Sequence, residues 1–371
     1  MRAPRVRSVA IAAGGTGGHF FPAEALAAEL VRRGQRVVLL TDARSSGLAS
    51  AVFEGRERFV LRGAGIAGRG VVRATAAALA LALGTAQARA VLGRLNVGVL
   101  VGFGGYPSVA PVLAARLLRQ RPAILLHEQN AVLGRANRML ARRADLLALS
   151  HATTARVPDG VRTAITGNPV RPAIAALANA PYAAPDGTIR LLVLGGSLGA
   201  RVLSDVVPAA LAMLPAALRA RLHVTQQCRP EDLARVRDAF AAAAIPAELA
   251  AFFPDVADRL AAAHLLIARA GASTVAELAV IGRPAILVPL PHAIDDHQTA
   301  NARALADAGA AWPMPQPGFT PATLAARLAA LLDDPAGLAA AAARAAGCGH
   351  PGAAAHLADA VELLMAKERA A

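Results

Sequence analysis

The stretch Ile11-Ala12-Ala13-Gly14-Gly15-Thr16-Gly17-Gly18-His19-Phe20-Phe21-Pro22 continues an apolar run that begins at Val9 and leads into an Ala/Leu/Glu helical pattern. It reads as strand, glycine turn, helix. Glycines at 14, 15, 17 and 18 place no Cβ between a ligand and the backbone N–H groups, and the following helix points its positive end at the same spot. Phosphate-bearing anions are the natural occupants of such a turn. Counted from Gly15, the Gly-x-Gly-x-x-Gly dinucleotide fingerprint meets Phe20 where its third glycine belongs, so that match is partial. His19 stands at the first turn of the helix, where a second positive charge is disfavoured, and its imidazole is suited to serve as a neutral base. The plain alternative is a histidine that caps or fills the helix end.

The 371 residues suffice for two domains, and 55% hydrophobic content supplies two cores. Cys228 and Cys348 lie far apart, suit a reducing compartment and stand in no metal-ligand spacing. The basic start Met1 to Arg7 leads into about five apolar residues, short of the ~7–15 of a signal-peptide core. The uncharged, alanine-rich run Ala74 to Ala88 is shorter than the ~18–20 residues of a spanning helix. No transmembrane segment is expected.

The net charge of +14 is unevenly divided: residues 1–168 hold 23 Arg against 8 Asp and Glu, while residues 169–371 hold 16 Lys and Arg against 17. A basic first half suits a phosphorylated substrate, an acidic membrane surface or nucleic acid. Aromatic content of 3% offers little stacking for single-stranded nucleic acid. With Lys367 the only lysine, a coding bias toward arginine is the plain alternative.

Along the chain the strand–helix alternation continues. Gln35 to Leu40 is a strand ending at Asp42, where a nicotinamide dinucleotide site would want its ribose carboxylate. Ile66, Val71 and Val72 with Arg62, Arg69 and Arg73 could form an apolar patch ringed by cations, the way a peripheral protein rests on anionic lipid. Val97 to Gly105 enters a second glycine turn, Gly102-Phe103-Gly104-Gly105-Tyr106-Pro107-Ser108, and Ala123 to Leu126 closes on His127-Glu128-Gln129-Asn130. This pattern predicts a doubly wound parallel sheet.

The pattern breaks at Thr166-Gly167-Asn168-Pro169-Val170-Arg171, and Arg190 to Leu194 then enters a third turn, Gly195-Gly196-Ser197-Leu198-Gly199-Ala200. Strands are expected at His223–Gln227, Ala250–Phe253, Leu265–Ala268 and Ala285–Leu290. Arg269-Ala270-Gly271-Ala272-Ser273-Thr274 opens a helix with donors for phosphate, and Glu277 two turns from Gly271 can accept from ribose hydroxyls. Asp295 to Asn301 places further polar groups, Gln298 among them, at a helix start, and Gly352 to Arg369 reads as one amphipathic helix.

Taken together, from about Val9 to about Ala311, these motifs resemble the MurG family. Its members transfer N-acetylglucosamine from UDP-N-acetylglucosamine to lipid I, the undecaprenyl-diphosphate-linked muramyl-pentapeptide. The resemblance implies a GT-B fold, an α/β architecture of two Rossmann-like, doubly wound parallel-sheet domains facing across a cleft. The expected boundaries are 1–168 with the helix 352–371 for the acceptor and membrane-facing domain, and 169–351 for the UDP-sugar donor domain. By position, the resemblance assigns the acceptor diphosphate to Thr16, Gly17, Gly18, Gly104, Gly105 and Tyr106. The donor falls to Asn130, Arg171, Ser197, Phe253, Ala272, Ser273, Thr274, Glu277 and Gln298, and His19 matches the family's candidate catalytic histidine. Leu198 replaces the usual glutamine and cannot hydrogen-bond, and His297 stands where some members have glutamine.

The implied reaction is a single displacement with inversion, giving lipid II and UDP for peptidoglycan. The implied place is peripheral, on the cytoplasmic face of the bacterial inner membrane, with an anionic membrane surface as partner and no nucleic acid. Without an Asp-x-Asp pair, no tightly bound metal is expected. Two other readings stay open. A nicotinamide-dependent oxidoreductase would rest on the first turn and Asp42, leaving two glycine turns without a task. A non-catalytic nucleotide-sugar or nucleic-acid binding protein would not account for the charge asymmetry.

Overall fold

Each glycine turn closes one strand and opens one helix in the computed structural model, which describes residues 7–15, 17–44, 50–62, 71–178, 180–196 and 199–370. The chain divides into two compact units, Met1–Arg171 with Gly352–Ala371 and Pro172–Pro351. Among the described residues the first unit contains strands β1 (Ser8–Ala12), β2 (Val37–Thr41), β3 (Arg58–Val60), β4 (Val97–Gly102), β5 (Ala123–Glu128), β6 (Leu146–Leu149) and β7 (Thr163–Ile165). They form one parallel sheet in the order β3-β2-β1-β4-β5-β6-β7. The second unit contains β8 (Ile189–Leu194), β9 (Leu222–Gln227), β10 (Ala247–Ala250), β11 (Leu265–Ala268), β12 (Ala285–Leu287) and β13 (Ala311–Pro313). These are likewise parallel, in the order β10-β9-β8-β11-β12-β13.

Strand order reverses between β1 and β4 in one sheet and between β8 and β11 in the other. At such a switch the flanking connections leave on opposite faces and open a crevice beyond the strand ends. Ala12 is in register with Gly102, and Leu194 with Ala268. All four glycine-bearing turns therefore begin at switch points, two in each unit.

The first sheet is covered on both faces, so its central strands are continuous apolar runs rather than alternating ones. Val9 and Ile11 face a core built with Phe20, Leu26 and Leu30 of the helix Gly17–Arg32 and Leu357, Val361 and Leu364 of the helix Ala353–Ala370. Arg33 fastens that last helix, donating to Asp359 at 2.6 Å, Glu362 at 2.9 Å and the Ala355 carbonyl at 3.2 Å. On the opposite face Ala10 and Ala12 meet Leu92 and Leu95 of the helix Val71–Leu95 and Val109 and Val112 of the helix Val109–Arg116.

Several expectations need correction. β5 runs on through His127 and Glu128, β4 stops at Gly102 and β12 at Leu287. The strand expected over Ala250–Phe253 lies earlier, at Ala247–Ala250; Phe253 follows on a loop, its ring 4.3 Å from the Arg259 guanidinium. The portion Thr75–Leu95 is long and apolar enough to cross a membrane by length and composition, with mean hydropathy 1.4. It outruns the uncharged stretch because Arg89 and Arg94 fall within it. Its buried edge nonetheless belongs to this unit: Ala88 and Leu92 enter the core, and Gly84 lies so close to Arg62 that a Cβ there would stand 2.0 Å from the Arg62 carbonyl oxygen.

Candidate functional site

In the first unit the turn after β1 is pinned from the side. Gly15, at φ +86°, donates its N–H to Asp42 Oδ1 at 3.3 Å. The other Asp42 oxygen accepts from Arg44 Nε at 3.3 Å, and the same guanidinium reaches the Tyr106 hydroxyl at 3.0 Å while lying 4.6 Å from the centre of that ring. Asp42, the residue a dinucleotide ribose would require, is thus buried in bracing the turn.

The turn after β4 needs left-handed backbone at Gly104 (φ +80°) and Gly105 (φ +64°), conformations costly for any residue with a Cβ. Gly105 borders His19: a Cβ there would lie 3.6 Å from His19 Nε2. Ser108 Oγ lies within hydrogen-bond reach of the carbonyls of Gly104 (2.9 Å) and Ala12 (3.2 Å), tying the two turns together. Gly17, Gly18, His19, Gly104, Gly105 and Tyr106 accordingly share one edge of the sheet. Thr16 lies outside the described residues.

The cluster at the end of β5 is a brace rather than an open set of ligands. Glu128 Oε1 accepts from the Asn130 backbone and side-chain amides, each at 3.0 Å, and Oε2 accepts from Gly134 N at 2.9 Å and Asn137 Nδ2 at 3.0 Å. Gln129 donates to the Phe103 carbonyl at 3.0 Å. His127 is fully buried, with Nε2 3.0 Å from the Gly167 carbonyl; burial holds its pKa down at about 4. Arg171 places its guanidinium 5.3 Å from the Phe21 ring. Asn130 and Arg171 therefore belong to the first unit, whereas the other expected donor contacts belong to the second.

In the second unit the side-chain amide of Gln227 clamps the turn after β8. Its Oε1 accepts from Gly195 N at 3.1 Å, and Nε2 reaches the carbonyls of Gly196 at 3.0 Å and Ala251 at 3.2 Å. Ser197 and Leu198 lie outside the described residues. After β11, buried Arg269 donates to the carbonyls of Val288 (3.2 Å) and Pro289 (3.1 Å) and to Gln316 (2.7 Å), while Asn301 donates to the Ala270 carbonyl at 3.1 Å. These bonds fix the extended backbone at Gly271 from which the helix Ala272–Ile281 starts. Its first turn presents backbone N–H groups beside the hydroxyls of Ser273 and Thr274. Ser273 Oγ is buried with no hydrogen-bond partner among the described residues, and Glu277, three and four positions on, shares their helix face. Gln298 accepts at Oε1 from Leu290 N at 2.9 Å.

Sequence reading gave no bracing role to Gln227, Arg269 or Asn137, whose partners lie on other segments. Among the described residues no group of three His, Cys, Asp or Glu side chains is placed to hold a metal ion.

Residues 9–148 match the glycosyltransferase family 28 N-terminal domain, and residues 190–362 match the glycosyltransferase family 28 C-terminal domain. The chain is 65% identical over 366 residues to the UDP-N-acetylglucosamine–N-acetylmuramyl-(pentapeptide) pyrophosphoryl-undecaprenol N-acetylglucosamine transferase of Granulibacter bethesdensis, covering 98% of this chain and 95% of that protein. It is 58% identical over 361 residues to the protein of the same name from Acidiphilium cryptum, covering 97% and 98%. Among solved structures it superposes on MurG of Acinetobacter baumannii with a TM-score of 0.78 at 31% identity, covering 96% of this chain and 99% of that one.

Proposed function

The chain belongs to glycosyltransferase family 28, and from that membership we infer that it is a UDP-N-acetylglucosamine-dependent hexosyltransferase of peptidoglycan synthesis, which converts lipid I to lipid II with release of UDP. The observation that carries the reading is the duplication of the anion site: each unit has a pair of glycine-bearing turns at its own switch point. One diphosphate belongs to the acceptor and the other to the nucleotide sugar. A dehydrogenase needs only one such site, and here Asp42 is engaged with Gly15 and Arg44.

The first unit holds the acceptor. Gly17, Gly18, Gly104, Gly105 and Tyr106 receive the diphosphate, and His19 takes the proton from the muramyl 4-hydroxyl as it attacks the anomeric carbon. The second unit holds UDP-N-acetylglucosamine, with Ala272, Ser273 and Thr274 on phosphate, Glu277 on ribose, and Phe253 and Gln298 completing the site; Ser197 is assigned by the resemblance alone. Asn130 and Arg171 are assigned to the donor by the resemblance alone. As the bond to UDP breaks, the helix start at Ala272 stabilises the developing charge.

The acceptor is a membrane lipid, and the surface of the helix Val71–Leu95 suits it. Leu79 and Leu83 are 62% and 41% exposed, and the exposed arginines Arg62 and Arg89 belong to the same region. Apolar side chains with cations beside them bind an anionic bilayer surface peripherally. Of the patch expected from sequence, Ile66 and Arg69 lie outside the described residues, as do the side chains of Val71, Val72 and Arg73. On this reading the enzyme works peripherally, on the cytoplasmic face of the inner membrane.

The test is UDP release from UDP-N-acetylglucosamine by the detergent-solubilised full chain, with and without a lipid I analogue, beside UDP-N-acetylgalactosamine and UDP-glucose. Acceptor-dependent release confined to the first donor is expected; acceptor-independent binding alone would leave a nucleotide-sugar binding protein. His19→Ala should lower kcat by about 10²–10⁴, and an unchanged kcat with weaker acceptor binding would make His19 structural.

A further inference from the structure

Beside the first glycine turn lies a cavity of about 630 Å³ whose two sides differ in chemistry. One side is polar: Arg44 lies against Tyr106, held there by Asp42, which also holds Gly15 N–H. The other side is apolar, formed by Val60, Leu61 and Ala80, with Arg62 also lining the space. Val60 is 49% exposed at the end of edge strand β3, and Ala80 stands on the helix Val71–Leu95 next to exposed Leu79. Arg44 covers one face of Tyr106, the aromatic side chain among the described lining residues.

We propose that this cavity seats the first isoprene units of the acceptor's polyprenyl chain, next to the diphosphate held at the glycine turns; the proposal rests on the transferase reading above. The ligand class follows from the order of the walls. An anion bound at the Gly15 turn meets Arg44 first, and a branched apolar tail attached to it then covers Val60, Leu61 and Ala80. From Ala80 the tail continues onto the exposed apolar face of the helix at Leu79 and Leu83, and from there into a bilayer. A peptide bearing carboxylates would satisfy the arginines but would leave the apolar wall in water. Burying that wall under hydrocarbon is what adds affinity.

The experiment uses acceptor analogues alike in sugar and peptide whose diphosphate carries a methyl, a geranyl or a farnesyl group, all measured without detergent on the full chain. kcat/KM should rise about tenfold or more from methyl to geranyl in the parent protein. Ala80→Phe, which fills the apolar side, should bring the geranyl-to-methyl ratio close to unity, and Val60→Asp at its half-exposed position should do the same without touching the core. Equal kcat/KM along the series, or a gain that survives both substitutions, would overturn the proposal. So would a preference that follows the peptide carboxylates and is lost in Arg62→Ala, which would assign the cavity to the peptide. If no analogue is glycosylated yet farnesyl diphosphate binds calorimetrically and Ala80→Phe abolishes that binding, the site stands and the transferase reading fails.

Discussion

The imidazole of His127 faces the Gly167 carbonyl across 3.0 Å with the ring wholly buried. A carbonyl only accepts, so Nε2 carries the proton and the neutral ring leaves Nδ1 bare. Burial dominates the lowering of its pKa to about 4; the Gly167 carbonyl and Glu128 pull the other way, and the charge of nearby His19 adds to the lowering.

The sign of the resulting pH dependence is fixed. The unfolded chain binds this proton near pH 6.5 and the folded chain only near pH 4, so stability is intact above pH 6.5 and falls as pH drops from there through 4. The full loss is about 3 kcal/mol. His127→Gln, which keeps a donor for Gly167 but cannot titrate, should flatten this part of the stability profile. Urea unfolding of both proteins at pH 7 and pH 4.5 checks it: an equal fall in the two would mean other groups are responsible.

Asp42 should act on the acceptor through Gly15. Removing its carboxylate takes one acceptor from the Gly15 N–H and one partner from Arg44. Asp42→Ala is expected to raise the acceptor KM about tenfold, the loss of one or two charge-assisted hydrogen bonds, with the KM for UDP-N-acetylglucosamine unchanged. A rise in the donor KM instead would place the nucleotide in the first unit.

What could be read from sequence, and what could not, follows from where each residue finds its partners. β1, β4, β8 and β11 are legible because each is an apolar run ending at a recognisable turn, and that local pattern also locates the switch points. β3 (Arg58-Phe59-Val60) and β7 (Thr163-Ala164-Ile165) are short edge strands with partly exposed side chains; pairing with β2 and β6 defines them, and no periodicity shows it. The site divides the same way. Glycines, helix-start hydroxyls and Glu277 announce themselves by spacing, whereas Gln227 is identified only by its bonds to Gly195, Gly196 and Ala251. Glu128 stood out as a polar residue at a strand end, yet Asn130, Gly134 and Asn137 occupy both its oxygens, which suits a brace and not a base.

Gln227 gives the corresponding test in the second unit. Its amide bonds the turn after β8 at both Gly195 N and Gly196 O and joins it to Ala251. Gln227→Leu keeps the bulk and removes the bonds, so UDP affinity should fall about tenfold. Isothermal titration with UDP reads it directly. Unaltered affinity with reduced stability would show that the turn holds its shape without the clamp.

Gly84 sets how closely the helix Val71–Leu95 lies on the chain at Arg62, and two effects of opposite sign meet there. Alanine is favoured over glycine inside a helix by about 1 kcal/mol. Against this, a Cβ would stand 2.0 Å from the Arg62 carbonyl oxygen and 3.5 Å from Ala110 Cβ, and the nearer neighbour is backbone that cannot rotate away. Overpacking of that kind costs about 1–3 kcal/mol, so steric strain should win and Gly84→Ala should lower the denaturation midpoint. Since Arg62 and Ala80 line the same cavity, the displaced segment should also reduce the geranyl-to-methyl preference while leaving UDP binding in the second unit intact. A higher midpoint would mean that the Arg62 segment yields freely and that helix propensity decides the outcome at this position.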